Sequence, residues 1–355
     1  MTAPRQFVVV GAGLHGCALA WELARRGGDV VLVERGVPGA EASTAAAGIL
    51  APSVEAWAHP SPVGPVEGEG ADEGVAAMMG RESLRRYPEW IRRIEAASNL
   101  QVPLHLGGVI VAGDAGPPGA HRVGAAEMAT VEAGLAPGRS GWLVEGEGWL
   151  DPRTLAPAVH AAALSAGVRC VQAEVLGIGE GEVLTASGAL QGTVVVCAGA
   201  WTAQVPGLTA LPVRPLRGQV LALRSPPGFR LGHVVFGAGG YLVPRVDGRV
   251  LVGSTMEDVG FLRGVTDEGL ARLRATARQL CPALADAEEL QTWSGFRPST
   301  PDGLPLLGTV RGIWVASGHH RNGILLAPYT AMSVADAILQ GAPLPPSLRA
   351  DRFSA

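Results

Sequence analysis

Arg297 lies in the stretch WSGFRPSTPDGLP (residues 293–305), wedged between Phe296 and Pro298, with Asp302 five positions on. An arginine in apolar surroundings needs a counter-charge. Asp302 could supply it as a permanent ion pair. The alternative is the carboxylate of an arriving ligand, which a planar guanidinium can grip through two parallel bonds. A second run able to do chemistry is Gly11-Ala12-Gly13-Leu14-His15-Gly16, a GxGxxG followed at strand-plus-helix distance by Glu34. Its glycines permit a tight turn and close approach of backbone to a pyrophosphate at a helix N-terminus, and the acid accepts from ribose hydroxyls.

These residues must be held by regular elements. Residues 6–10 (QFVVV) predict a short buried strand, 14–26 a helix, and GGDVVLVERG a turn and a second strand ending at Glu34. The following GVPGAEASTAAAGILAP is small and polar, suited to approaching a ligand rather than to the core. Residues 58–75 are rich in Pro, Gly and Glu and predict a surface loop. Helices are expected near 76–97 and 152–166, a strand pair over 168–186, and a buried strand within 192–201. Residues 211–258 predict antiparallel strands with a hairpin at Asp247-Gly248. A helix near 266–280 follows, then the strand 312–317 and an apolar helix over about 323–340. Strand–helix–strand, a mixed middle and a return to strand–helix imply an α/β fold: a parallel nucleotide-binding domain built from distant segments, with an antiparallel domain inserted.

Composition narrows the partners. The net charge is −4, so no basic footprint points to nucleic acid. All 28 basic residues are arginine, which excludes Schiff-base chemistry and a P-loop lysine. The four cysteines (Cys17, Cys170, Cys197, Cys281) form no CxxC pair and read as reduced thiols. The N-terminus has no basic region followed by an apolar signal core, and no stretch of 18 or more apolar residues occurs. A cytoplasmic protein without a membrane partner is expected. Adjacent His319 and His320 point in different directions on any regular element, and no third ligand has metal spacing; no metal site is expected. Trp201 and Trp314 read as core, and Glu55 as a solvated or capping carboxylate.

The blocks VVVGAGLHGCALAWELARRG, ASTAAAGILAP, VVVCAGAW, YLVPR with GSTM, GFRPSTPDGLPLLG and SGHHRNGILLAP run in order over nearly the whole chain. Together they resemble the glycine oxidases of the D-amino-acid-oxidase superfamily of FAD enzymes. The resemblance implies a Rossmann-like FAD-binding domain (residues 1–80, 146–210 and 291–355) with an inserted antiparallel-sheet substrate domain (81–145 and 211–290). It implies non-covalent FAD held by Gly11, Gly13, Leu14, His15, Gly16, Glu34, Arg35, Ala42, Ser43, Ala47, Gly48, Ile49 and Gly199. Val175 would touch the adenine side, and His319, His320, Arg321, Asn322, Gly323, Ile324 and Leu325 would wrap the flavin ring. Arg297 would hold the substrate carboxylate, Tyr241 would stand beside it, Met256 would face the ring, and Arg321 would be a second arginine near the substrate. His320 stands where relatives often carry an aromatic residue.

The implied reaction is oxidation of glycine, sarcosine or a small D-amino acid by hydride transfer to flavin N5, with oxygen reduced to hydrogen peroxide and the imine typically passed to thiamine thiazole synthesis. Flavin supplies the hard chemistry, and no general base is demanded if the amine binds neutral. Asn322-Gly323, opening the apolar helix, would offer free N–H groups to the reduced ring's negative charge. A D-amino-acid oxidase or dehydrogenase, a sarcosine oxidase, a nicotinamide-dependent dehydrogenase using the same glycine run, and a non-enzymatic flavoprotein stay open, as does a homo-oligomer.

Overall fold

The computed structural model describes residues 5–59 and 74–353. The valine run of β1 (Gln6–Val10) is buried on both faces, as a central strand of a covered parallel sheet requires. It pairs in parallel with β2 (Asp29–Glu34) on one side and with Thr193–Val196 on the other. Ile313–Ser317 and Arg169–Gln172 extend the sheet in parallel, and Leu306–Val310 closes one edge antiparallel.

Alternate side chains of these strands feed two cores. Phe7, Val9, Leu32 and Val195 pack with the helices α1 (Leu14–Arg25), Val75–Ser98, Pro152–Ser165 and Ala327–Gln340. Val8, Val10, Val33 and Val196 face Val205, Leu208, Leu211 and a three-stranded sheet that includes Val183. A second large sheet has eight strands, antiparallel except where Val234–Gly237 pairs in parallel with Val109–Ala112. Its hairpin Gly240–Pro244/Arg249–Gly253 turns at Asp247-Gly248, as the sequence predicts. The helix Asp267–Leu280, capped by Thr266 accepting from the Gly269 N–H, backs this sheet.

Several expectations need correction. The domain break at 80/81 falls inside the helix Val75–Ser98, which packs on the parallel-sheet core. The break at 290/291 falls inside the strand Glu289–Ser299, which pairs along the length of Arg214–Arg224. Arg297 therefore sits on the larger sheet. The expected pair over 168–186 splits: Arg169–Gln172 joins the parallel sheet, and Val175–Gly179 forms a separate hairpin with Glu182–Thr185. The GVPGAEASTAAAGILAP segment ends in the core, where Leu50 and Ala51 are wholly buried. The last helix begins at Ala327, because Pro328 suits a first turn and the preceding residues close a separate turn from Leu326 N–H to the Asn322 carbonyl. Of the loop expected over 58–75, residues 60–73 lie outside the described residues.

Candidate active site

The glycine turn between β1 and α1 is built by close backbone approach. A methyl group on Gly16 would stand 1.8 Å from the Gly11 carbonyl oxygen, so only glycine lets α1 begin this near the turn. Glu34 holds the same turn, one carboxylate oxygen accepting from Ala12 N–H and the other from Gly36 N–H, both at 2.8 Å. Ser43 Oγ accepts from Leu14 N–H at 2.8 Å. The N–H groups of Gly13, His15 and Gly16 find no acceptor among the described residues. They are free donors at the N-terminus of a twelve-residue helix.

Two cavities open from this turn, with about 930 and 1130 Å³ of empty space. Gly13, Ala42, Ser43, Cys197 and Gly199 line both, so they form one continuous groove. Its first arm runs past Gly11, Glu34, Arg35 and Val175 to Trp201. Trp201, expected in the core, instead stacks on Phe261 and carries the Arg35 guanidinium 4.9 Å from its ring centroid. Trp314 packs against the helical core, as expected.

The second arm passes between the two sheets. Its floor, Ala45–Ala47, is tied to the larger sheet: Trp293 Nε1 donates to the Ala45 carbonyl at 2.9 Å and Arg245 to the Ala47 carbonyl at 2.7 Å. Leu14, His15, His319, His320, Arg321, Gly323 and Ile324 line it from the nucleotide side. Tyr241, Phe296 and Arg297 line it from the other. The His15 and His319 rings stack at 3.5 Å. Burial pushes the His15 pKa down to about 4 and that of His319 well below the usual imidazole range, so both are neutral near pH 7. Both His15 ring nitrogens are buried without a well-aligned hydrogen bond among the described residues.

Arg297 pairs with no carboxylate among the described residues. Its guanidinium donates to Ser254 Oγ at 2.6 Å and to the Thr255 carbonyl at 3.1 Å. Asp302 is instead fully engaged by Arg352, through bonds of 2.8 and 2.9 Å. The permanent Arg297–Asp302 pair does not form. Arg321 meets Glu55 at 3.2 Å, and only 12% of the Glu55 side chain is exposed; it is neither solvated nor a cap. Burial, with Arg297, Arg321 and His59 nearby, lowers the His320 pKa to about 4.

Other expected site residues stand elsewhere. Met256 is 55% exposed and lines neither cavity. Gly48 and Ile49 line neither cavity: the Gly48 carbonyl accepts from Leu150 N–H, and Ile49 pairs with Trp149. Leu325 is buried, its carbonyl accepting from Ser83 Oγ. Asn322 lies in the turn beneath the groove, and the regular helix opens only at Ala327, so Asn322-Gly323 is not its N-terminus. Residue patterns alone missed Gly218 and Val220, which line the groove from the strand Arg214–Arg224, and gave no groove role to Phe296 or Cys197. Only the glycine within the strand run RPLRGQVLALR hinted at a close approach.

The sequence model of the FAD dependent oxidoreductases (DAO) matches residues 6–337. The chain belongs to that family. FAD is accordingly its cofactor. This member of the FAD dependent oxidoreductases is 36% identical to the bifunctional protein ThiO/ThiG of Trichormus variabilis, over 95% of this chain and 53% of that protein. The chain thus spans about half the length of the first curated relatives it matches. It is 32% identical to the glycine oxidase of Pseudomonas aeruginosa, over 93% of both chains. Its fold superposes on the crystal structure of glycine oxidase from Geobacillus kaustophilus with a TM-score of 0.85 and 29% identity, covering 99% of each.

The groove fits a flavin dinucleotide on its own evidence. Free N–H groups stand at the glycine turn, the Glu34 carboxylate lies at one arm, and the His15 nitrogens, without a well-aligned hydrogen bond among the described residues, lie in the wall of the other. No helix among the described residues is long and apolar enough to cross a membrane.

Proposed function

We propose that the protein is an FAD-dependent amine oxidase that takes glycine, and with it sarcosine or small D-amino acids, to the imine or 2-oxo acid. The observation that carries this reading is the state of Arg297: a guanidinium in the wall of an apolar cavity, bonded among the described residues to neutral hydroxyl and carbonyl groups, while the neighbouring Asp302 is consumed by Arg352. A small carboxylate completes its coordination.

FAD, when bound, accepts the two electrons lost from the substrate α-carbon and passes them to oxygen, giving hydrogen peroxide. The chain's own residues bind and orient. Arg297 takes the substrate carboxylate, and Tyr241 stands against it as a second polar contact. Val220, Phe296 and Ile324 give the cavity apolar walls that exclude water and strengthen the ion pair. His320 is neutral near pH 7 and leaves the positive charge to the arginines.

Placement in the cytoplasm and supply of imine to thiazole synthesis belong to the same proposal, supported by the likeness to proteins called ThiO/ThiG and glycine oxidase. The test is oxygen uptake and peroxide release by the FAD-loaded protein offered glycine, sarcosine and D-alanine in turn. Uptake with none of the three would overturn the reading.

A further inference from the structure

Two arginines reach the substrate end of the groove, and different groups face them. Arg297 meets neutral acceptors, whereas Arg321 Nε lies 3.2 Å from Glu55 Oε2. Glu55 projects from the helix Pro52–Ala58, whose first turn is held by Glu147 accepting from Ser53 N–H at 2.6 Å. The Arg321 and Glu55 side chains are 21% and 12% exposed, so this is not a solvated surface bridge whose partners drift apart. Glu55 Oε2 is buried and makes no well-aligned hydrogen bond. What compensates it is the charge of Arg321.

The charge count follows. Arg297 and Arg321 each contribute one positive charge, Glu55 removes one, and His320 is neutral near pH 7. Among the described residues one uncompensated positive charge remains, at Arg297. A ligand carboxylate takes it up. A second carboxylate would meet an arginine already neutralised and a buried anion behind it.

We infer that Glu55 sets the charge of the ligand this site accepts: by neutralising Arg321 it admits amines carrying one carboxylate and turns away those carrying two. The inference rests on the proposed use of Arg297 as carboxylate anchor. Glu55 touches no reacting atom in this scheme and acts through Arg321. Removing its charge leaves two free guanidinium groups in one apolar cavity, an arrangement complementary to a dianion.

The test uses the FAD-loaded full chain and two substrates that differ by one carboxylate, sarcosine and iminodiacetate. Unreactive glycolate and diglycolate are compared in parallel by calorimetric binding. Glu55→Gln is expected to raise the ratio of kcat/KM for iminodiacetate over sarcosine, and the matching ratio of affinities, by at least ~10-fold. Adding Arg321→Gln restores the original charge count and should return both ratios to within about threefold of the unmodified protein. A general loosening of the site would not be cured by a second substitution. The inference is overturned if Glu55→Gln weakens both partners of each pair alike, or if the double variant keeps the raised ratios. Glycine turnover with unmoved ratios sinks the charge filter alone. Shifted binding ratios without any amine turnover sink the oxidase reading alone.

Discussion

The guanidinium of Arg297 lies against the backbone of Gly218 on the paired strand, so closely that a methyl group there would stand 2.3 Å from Nη1. Gly218 is the seat on which the arginine rests. Gly218→Ala should therefore push the guanidinium out of place while leaving the strand pairing intact. The expected result is a KM for glycine raised by roughly 10- to 100-fold, with a melting temperature near that of the unmodified protein. An unchanged KM would show that Arg297 has another position from which to bind.

Arg297 and Asp302 should part company when each is substituted. Arg297→Ala is expected to raise the KM of carboxylate-bearing amines by at least ~10²-fold, from losing roughly 3 kcal/mol of a desolvated charge pair. Arg297→Lys should recover part of that loss, since charge returns without the planar fork. Asp302→Asn should leave KM alone and lower stability instead, because it breaks the contact with Arg352 fifty residues away. Steady-state kinetics beside thermal melts separate the two, and a KM effect from Asp302→Asn would contradict the assignment.

Glu34 uses both carboxylate oxygens on backbone N–H groups. Glu34→Gln presents an amide N–H₂ to one of those donors, which loosens the glycine turn and weakens FAD binding by roughly 1.5–3 kcal/mol. Titration of the FAD-free protein measures this. Turnover at saturating FAD should change little, and its collapse would place Glu34 in the chemistry.

The flavin should be held without a covalent bond. Cys17 and Cys281 are buried away from the groove, and Cys170 lies on the edge strand Arg169–Gln172. Cys197 lines the groove, but burial pushes its pKa up to about 12, so it is a thiol rather than a nucleophilic thiolate. Acid precipitation should leave the yellow colour in the supernatant. A yellow pellet would overturn this.

Acid should destabilise the FAD-free protein before its ion pairs begin to titrate. His15, His319 and His320 are buried as neutral rings with pKa values below the usual 6.5. The unfolded chain therefore takes up protons first as pH falls. For His15 and His320 that stabilisation is complete above pH 6.5 and is lost between there and about 4, at up to about 1.4 kcal/mol per pH unit for each of the two rings, and His319 acts in the same direction. The lowered carboxylates, such as Asp302, act only below their own unfolded values, and the raised pKa of Glu147 works in the opposite sense. His320→Gln should flatten the dependence of melting temperature on pH in that window; an unchanged slope would contradict the assignment.

What the sequence disclosed and what it hid divide along sequence distance. The glycine turn and Glu34 were legible because β1, α1 and β2 are consecutive, so spacing alone fixes their geometry. The environment of Arg297 was not, because Ser254, Thr255 and Gly218 reach it through strand pairing. Nothing local to Asp302 announces Arg352, and nothing local to Glu55 announces Arg321. The late start of the last helix was readable in principle from Pro328, whose missing N–H favours a first turn.

The stacking of His15 on His319, and of the Gly11 backbone on that of Cys197, fixes when the cofactor site can come into being. During synthesis the glycine turn leaves the ribosome first, yet the wall it leans on follows more than 180 residues later and its histidine partner some 300 residues later. Until that wall is made the valines of β1 lack their second parallel neighbour, Thr193–Val196. Such long-range closure is slow and leaves apolar strands exposed in the interim. The nascent protein is thus expected to capture flavin only when the chain is almost finished, because polypeptides cut short before His319 lack one wall of the groove.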